Sequence, residues 1–511
     1  MENKPLPTLV LQEADSLPQI KDYLKNVKEY IVSLHDQKCD ALQVLNTYSD
    51  LMDQLLKELY RQAEVNFSKT GQKRKSACAL VAQGGYGRRE LCLSSDIDLL
   101  ILYDGKADDF VKSLSMSVIQ TLWDAGLEVG SATRTVKDCL SFMEEDLTVM
   151  TALFDARLLA GSQELNDDLS KGIQKYFKSE KNRKLFYQKK LKENQERKEK
   201  YGGSIFLLEP NLKESEGGLR DYHTLYWVAR VEYGIKNVYM MQDSTFFSVG
   251  EFIQLMNAVR FLWRARNELH RLSGRKTDQL TVESQEAVAK ALGYENGDFL
   301  AVEHFMRDYY EHASVIRQLT EKVFRRVQKN EAGLFSKTQP GVLDDPNLKI
   351  IDDQLTATFK NLFFDQPIYL MKIFEIAHRL NLKIDDNTQD YIEQAIDIIG
   401  DALIESQQAH ALFKEILSRP VGLSRILFLM NDLGVLSAYL PEWKNLRFRV
   451  QHNLYHVYTV DVHSIFAVQE WGKSSKVFMK NPNKLCICWE KILFAKTYSL
   501  LRFCITISEK E

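Results

Sequence analysis

VAQGGYGRRELCLSSDIDLLILYD, residues 81–104, is the stretch from which the rest of the chain can be read. Asp96 and Asp98 stand two apart at the head of an apolar run. On a strand, where side chains alternate, both carboxylates then project from one face and Ile97, Leu99 and Ile101 from the other. Two carboxylates held side by side on a rigid edge suit hard divalent cations. A pair of such metals about 3.5 to 4 Å apart clamps an in-line phosphoryl displacement. Upstream, Gly84, Gly85 and Gly87 let the backbone approach a ligand closely and aim amides at phosphate oxygens. The stretch from Arg88 to Leu91 is expected to begin a helix whose N-terminus adds positive potential, with Arg88 or Arg89 meeting a triphosphate. A glycine turn before an acidic strand end is common by itself. Combined with the Ser94-Ser95 lead-in and Asp-Ile-Asp-Leu, it makes Gly84, Gly85, Arg88 and Ser95 candidate nucleotide-binding residues and Asp96 and Asp98 candidate catalytic metal ligands.

The flanks supply a small mixed α/β unit. Residues 77–81 and 97–103 read as short buried strands ending in Gly84-Gly85 and Asp104-Gly105, 108–125 has helical spacing, and LEVGSATRTV at 127–136 alternates like a third strand. A third metal-binding carboxylate is expected from a neighbouring strand. Glu128 at the head of 127–136 is the first choice, and Asp155 in TALFDARLL, whose surroundings read as helix, is the second. For each the competing reading is an ordinary solvated acid.

At 511 residues the chain exceeds one hydrophobic core, so two to four domains are expected. Hydrophobic residues at 45%, charged residues at 27% and a net charge of −3 are those of an ordinary globular protein, with no global attraction to nucleic acid or membrane. No apolar run approaches the roughly 18 residues of a membrane span, and the start has neither a basic region nor an apolar one, which makes cytoplasm the expected compartment. The seven cysteines are odd in number and scattered, so reduced thiols are expected. Cys486 and Cys488 alone are too few for a zinc site.

Along the chain, 17–66 reads as helices that pack on the domain that follows, and 137–200 reads as helical throughout. The mixed-charge run 178–200 is expected to be a solvated helix face, since acids sit among its bases. A Gly/Pro-punctuated loop opens 201–330, which continues in long helices. Gly, Pro and Asp at linker density place a boundary near 340, and helices resume from 353 to 470. The expected organisation is α+β: a helical region at 1–66, a nucleotidyltransferase domain of polymerase-β type at 67–165, helical domains at 166–335 and 345–470, and an atypical tail at 471–511. The tail holds three of the seven cysteines and follows a helical pattern that stops without a cap, as a truncated or frame-shifted end would.

GGYGRREL, SSDIDLL, LEVGSATRT, LTVMTALFDARLLAG, FLLEPNLKESEGGLRDYHTLYWVAR and QHNLYHVYTVDVHS, in this order, resemble the bifunctional PII uridylyltransferase/uridylyl-removing (GlnD) family of bacterial nitrogen signalling over nearly the first 470 residues. The resemblance implies transfer of UMP from UTP, with Mg²⁺ or Mn²⁺, to a tyrosine of the PII signal protein, releasing pyrophosphate. It implies metals on Asp96 and Asp98 and the triphosphate on Gly84 and Gly85. The choice of uracil rests on the resemblance alone.

The family's next domain is a helical HD-type hydrolase that removes the uridylyl group, so the resemblance implies a partial HD domain at 345–470, and His456 matches its first histidine ligand. No histidine follows His463, so that metal site is expected not to close and His452, His456 and His463 to be packing or surface residues, with the removing activity lost. The glutamine-sensing ACT domains are expected to be missing, and glutamine control with them. Two other readings stand beside the transferase: an idle regulatory remnant that binds nucleotide or PII without turnover, and a nucleotidyltransferase acting on another acceptor.

Overall fold

The computed structural model describes residues 5–9, 16–202, 204–235, 237–243, 247–297, 299–332, 343, 345–449 and 459–474. Its internal contacts separate two units, Met1–Val327 and Gln328–Glu511.

The first unit opens with helices α1 (Ser16–Asp36) and α2 (Ala41–Lys69). Asp40 caps α2 by accepting from the amides of Leu42 and Gln43. Next come β1 (Cys78–Ala82), a single turn α3 (Gly84–Gly87), β2 (Ile97–Tyr103), α4 (Asp109–Asp124) and β3 (Val129–Thr135). Helices α5 (Val136–Glu145) and α6 (Leu147–Phe154) lead to β4 (Arg157–Gly161). The strands form one sheet in the order β3-β2-β1-β4. β1 is antiparallel to β2 and β4, while β2 and β3 run parallel, joined through α4.

The odd positions of β2, Ile97, Leu99 and Ile101, enter a core with Ile20 and Val27 of α1, Leu51, Leu55 and Leu56 of α2, and Val111 and Leu114 of α4. Each such buried side chain stabilises the sheet by about 1.5 to 3 kcal/mol. The alternation read at 97–101 is thus the observed one, and it sets Asp98 on the opposite face. The N-terminal helices are one layer of this fold, as their spacing predicted.

A helical assembly follows in the same unit: α7 (Gln163–Phe177), α8 (Glu180–Lys200), α9 (Leu219–Tyr233), α10 (Val249–Ser273), α11 (Val282–Leu292) and α12 (Ala301–Ala332). The run 178–200 departs from the expected solvated face. Although Glu180 pairs with Lys184 at 2.8 Å on its exposed side, α8 buries Phe186, Lys190, Asn194 and Arg197 along one stripe. Polar residues on that stripe hid it from a hydrophobic-periodicity reading.

Three further expectations are corrected. Asp96 lies one residue ahead of β2. The helical turn falls on the glycines and not on Arg88 to Leu91, because Arg88 closes it and Arg89 adopts φ 64°. And 137–200 is interrupted by β4, whose five residues are too few for apolar pattern to distinguish strand from helix.

The second unit contains, within the segment expected to be linker and helix, a hairpin of β5 (Leu348–Ile351) and β6 (Gln354–Ala357). Asp352 and Asp353 carry φ of 50° and 57°, the positive pair that a two-residue type I′ turn needs. After α13 (Leu362–Asp365) and α14 (Tyr369–Arg379), β7 (Lys383–Ile384) joins β6 in parallel. Helices α15 (Asp386–Ile399), α16 (Gln407–Ser418), α17 (Leu423–Asp432), α18 (Val435–Tyr439), α19 (Pro441–Leu446) and α20 (Val460–Ser474) complete it. They pack around Leu355, Phe374, Ile416, Leu427, Trp443 and Ile465. The boundary expected near 340 falls between Val327 and Gln328. His452, His456 and residues 475–511 of the tail lie outside the described residues. Among the described residues no helix is long and apolar enough to cross a membrane.

Candidate active site

The end of β1, the head of β2 and the head of β3 meet at one corner of the sheet. Gln83 donates its amide to the Asp98 carbonyl at 2.9 Å, which brings the glycine turn onto the acidic strand. Gly84, at φ 56°, and Gly130 of β3 then flank the Asp98 carboxylate: a Cβ would stand 2.8 Å from Oδ2 at the first and 2.5 Å from Oδ1 at the second. Gly87 is fixed differently, since a Cβ there would run into the Asp155 carbonyl. The two neighbouring glycine-bearing segments therefore leave just enough room for a carboxylate.

Asp96 and Asp98 line one cleft of about 200 Å³, together with Gly84, Gly85, Arg88 and Ser95. Burial first, and the charge of Asp96 second, raise the Asp98 carboxyl above the usual range; Lys213, Lys276 and Arg88 act against this. Asp96 Oδ2 pairs with the Lys276 ammonium, while its Oδ1 is buried without a hydrogen-bond partner. Ser95 shapes the lead-in, accepting from the Cys92 amide at 3.1 Å through its hydroxyl.

Arg88 lines the cleft but is fully engaged. Its Nε donates to Glu90 Oε2 at 2.8 Å, its Nη1 to Asp155, and its Nη2 stands 3.1 Å from His223 Nε2. Burial opposes its charge, yet Glu90 and Asp155 together hold it as a cation well past the ordinary guanidinium range. Arg89 turns away to pair with Asp50. Asp155 is 4% exposed, caps the end of α6 beside β4, and also accepts from Trp227 Nε1 at 3.2 Å. Glu128 is exposed and is not among the residues lining the cleft. Its carbonyl accepts from the Ile97 amide at 2.9 Å, so extending the β2–β3 register by one residue sets Glu128 beside Asp96. Among the described residues no three His, Cys, Asp or Glu side chains gather closely enough to hold a metal ion.

The opposite wall was not legible beforehand. It comes from the helical assembly: Lys213 from the loop before α9, Arg220, His223 and Trp227 from α9, Arg266 from α10, and Lys276 from the loop after it. Burial, then the cations Arg88, Arg220, Lys213 and Arg266, push His223 far below the usual imidazole range, so it is neutral. The segment SEGGLRDYHTLYW is part of a motif that carries the family resemblance, but nothing in its spacing points into the cleft, and GRKTDQL carries no signal.

The donor set fits a divalent cation. Two carboxylates line one cleft, one oxygen of Asp96 is buried without a hydrogen-bond partner, and its other oxygen already holds a cation, the Lys276 ammonium. Hard oxygen ligands of this kind suit Mg²⁺ or Mn²⁺.

The four-stranded mixed sheet, with its glycine turn against two aspartates, has the fold of a nucleotidyltransferase domain. Residues 25–137 match the family described as "Putative nucleotidyltransferase DUF294", 185–324 match the GlnD PII-uridylyltransferase model, and 349–439 match the uridylyltransferase GlnD third domain. The last of these covers much of the segment that the resemblance placed in an HD domain. Proteins named bifunctional uridylyltransferase/uridylyl-removing enzyme are similar over most of this chain. That of Azotobacter vinelandii is 32% identical over 468 residues, covering 90% of this chain and 50% of the relative. Those of Hydrogenovibrio crunogenus and Pseudomonas aeruginosa are 34% and 31% identical, covering 85% and 91% of this chain and 48% and 51% of the relatives. The chain belongs to the GlnD uridylyltransferase family and spans about half the length of the curated relatives it matches.

Proposed function

We propose that this chain transfers UMP from UTP to a tyrosine hydroxyl of the PII signal protein in the cytoplasm, releasing pyrophosphate. The observation that carries this reading is the Asp96–Asp98 pair opening, beside the Gly84 turn, into a cleft walled by cations. The acceptor and the base are taken from the relatives' names and the family model.

Asp96 and Asp98 hold Mg²⁺ or Mn²⁺ on this reading, with Glu128 the third acid beside Asp96. Bound there, such cations lower the pKa of the attacking hydroxyl and stabilise charge on the α-phosphate and leaving pyrophosphate. The glycine turn at Gly84 and Gly85 lets the triphosphate lie against backbone, with Ser95 at its edge. Arg88, locked between Glu90 and Asp155, presents a fixed guanidinium at the cleft wall. The tyrosine oxygen attacks the α-phosphorus as the bond to the β-phosphate oxygen breaks, and fixed charges aimed at that centre need no reorganisation during the step.

Incubation of the purified chain with α-labelled UTP, Mg²⁺ and PII tests this. Asp96→Asn and Asp98→Asn are each expected to lower labelling of PII by about 100-fold or more, the scale of losing a transition-state charge partner. Label on PII that survives both substitutions would refute the assignment.

A further inference from the structure

Every arginine lining the cleft is already satisfied. Arg266 donates to Asp278 at 2.6 Å and Arg220 to Glu214 at 3.1 Å, while Arg88 is held by Glu90 and Asp155. The two lysines differ. Lys213 Nζ stands 3.8 Å from Glu214 Oε1, outside hydrogen-bond reach and on an oxygen that Arg220 already occupies. Lys276 reaches across the cleft to Asp96 Oδ2, the carboxylate whose other oxygen has no partner.

Their backbones are tied together. The Leu212 amide donates to the Asp278 carbonyl at 2.8 Å, the Leu280 amide to the Pro210 carbonyl at 2.9 Å, and Asn211 bridges Gln279 between them. Asp278 itself is anchored to α10 through Arg266 and, at 3.3 Å, His270. Both ammonium groups are thus presented from one fixed platform outside the sheet, on flexible stems that can change partner.

We infer that Lys276 is a resident counterion of Asp96 that gives up its place when metal and nucleotide bind, and that with Lys213 it then holds the triphosphate. The inference rests on the proposed transferase reading and adds to it the residues that receive the phosphates. A divalent cation and an ammonium compete for the same carboxylate, so the metal must displace Lys276. The displaced ammonium meets the phosphate charge arriving with the metal. Metal binding without nucleotide is therefore opposed, and metal binding with nucleotide is favoured.

The test measures Mn²⁺ binding to the full chain by loss of the free-ion electron paramagnetic resonance signal, without nucleotide, and then UTP binding at saturating Mn²⁺. Lys276→Met is expected to tighten Mn²⁺ alone by about threefold or more, the scale of a partly exposed ion pair, and to weaken UTP by at least as much. Lys213→Met removes a cation that acts on Asp98 but breaks no ion pair with Asp96, so it is expected to change Mn²⁺ binding alone less than Lys276→Met does and to weaken UTP. Melting curves check that both variants fold, and Lys276→Gln repeats the test with a different replacement. Mn²⁺ binding that is unchanged or weaker in both Lys276 variants, or UTP binding indifferent to both lysines, overturns the inference while leaving the transferase intact. A wild-type chain that binds neither Mn²⁺ nor UTP, or an Asp96→Asn variant that binds Mn²⁺ normally, overturns both.

Discussion

Gly130 faces Asp98 across the β2–β3 pairing so closely that a methyl group on Gly130 would meet Asp98 Oδ1 at 2.5 Å. The atom it would strike is the end of a side chain, which can swing aside, so the fold should tolerate Gly130→Ala while the carboxylate moves. UMP transfer is expected to fall by about 100-fold, the usual consequence of displacing a reacting group by about 1 Å. The melting temperature should change by no more than a few degrees. Normal turnover in a well-folded variant would show that the position of Asp98 is not critical.

Glu128 and Asp155 compete for the role of third acid, and their surroundings predict opposite phenotypes. Asp155→Asn strips a buried partner from Arg88 and is expected to cost about 3 kcal/mol of stability. Glu128→Gln, at an exposed site, should leave thermal unfolding unchanged and lower transfer by about tenfold or more. Thermal melts and labelling assays on the two variants decide the matter. If Asp155→Asn melts normally but loses Mn²⁺ binding, and Glu128→Gln stays active, the assignment reverses.

Lys190 is 1% exposed, pairs with Glu193 at 2.5 Å and lies 4.3 Å from the centre of the Trp227 ring. Burial pushes its ammonium from 10.5 down to about 8, with Glu193 acting against the shift. Between those values the unfolded chain binds the extra proton, so stability rises with pH from about 8 to 10.5. The penalty is full below pH 8, and at about 1.4 kcal/mol per pKa unit it amounts to roughly 3 kcal/mol. Urea unfolding of Lys190→Met beside wild type should show the variant's relative advantage shrinking by about this much between pH 7.5 and 10. A constant difference would mean that Lys190 titrates normally.

Asp53 of α2 accepts from the Tyr86 hydroxyl at 2.7 Å and from Arg157 at 2.5 and 3.0 Å, joining the N-terminal helices to the glycine turn and to β4. Asp53→Ala leaves the Tyr86 hydroxyl without its acceptor and Arg157 with only the carbonyls of Gly87 and Tyr86. It is expected to destabilise the first unit by about 3 kcal/mol, measured by denaturant unfolding. Transfer measured well below the melting transition should fall less than in Gly130→Ala, since no cleft carboxylate moves.

What could be read in advance followed from short-range pattern. The alternation of Ile97, Asp98, Leu99 and Ile101 placed the strand and its faces, and the glycines marked the turn. The position of Asp96 just ahead of the strand did not spoil that reading, since it still lines the cleft with Asp98. Lys213 and Lys276 were invisible because their place depends on loops tied together across more than 60 residues of sequence. Lys190, Asn194 and Arg197 misled because a buried stripe built of polar residues looks like solvent-facing helix until its partners are known. β4 was missed for being short, and the 348–357 hairpin because its turn consists of two aspartates in place of the usual asparagine or glycine.

The loop that delivers Asp96 is held from outside the sheet: the Leu93 amide donates to Asn267 Oδ1 at 3.1 Å and the Ser94 amide to His270 Nδ1 at 3.4 Å, both on α10. The sheet that carries the proposed metal-binding acids is therefore not a portable cassette. A graft carrying only 67–165 onto another scaffold would take the acids but abandon the buttress that aims them. Recombination that exchanges this family's acceptor specificity has to inherit α10 along with the strands.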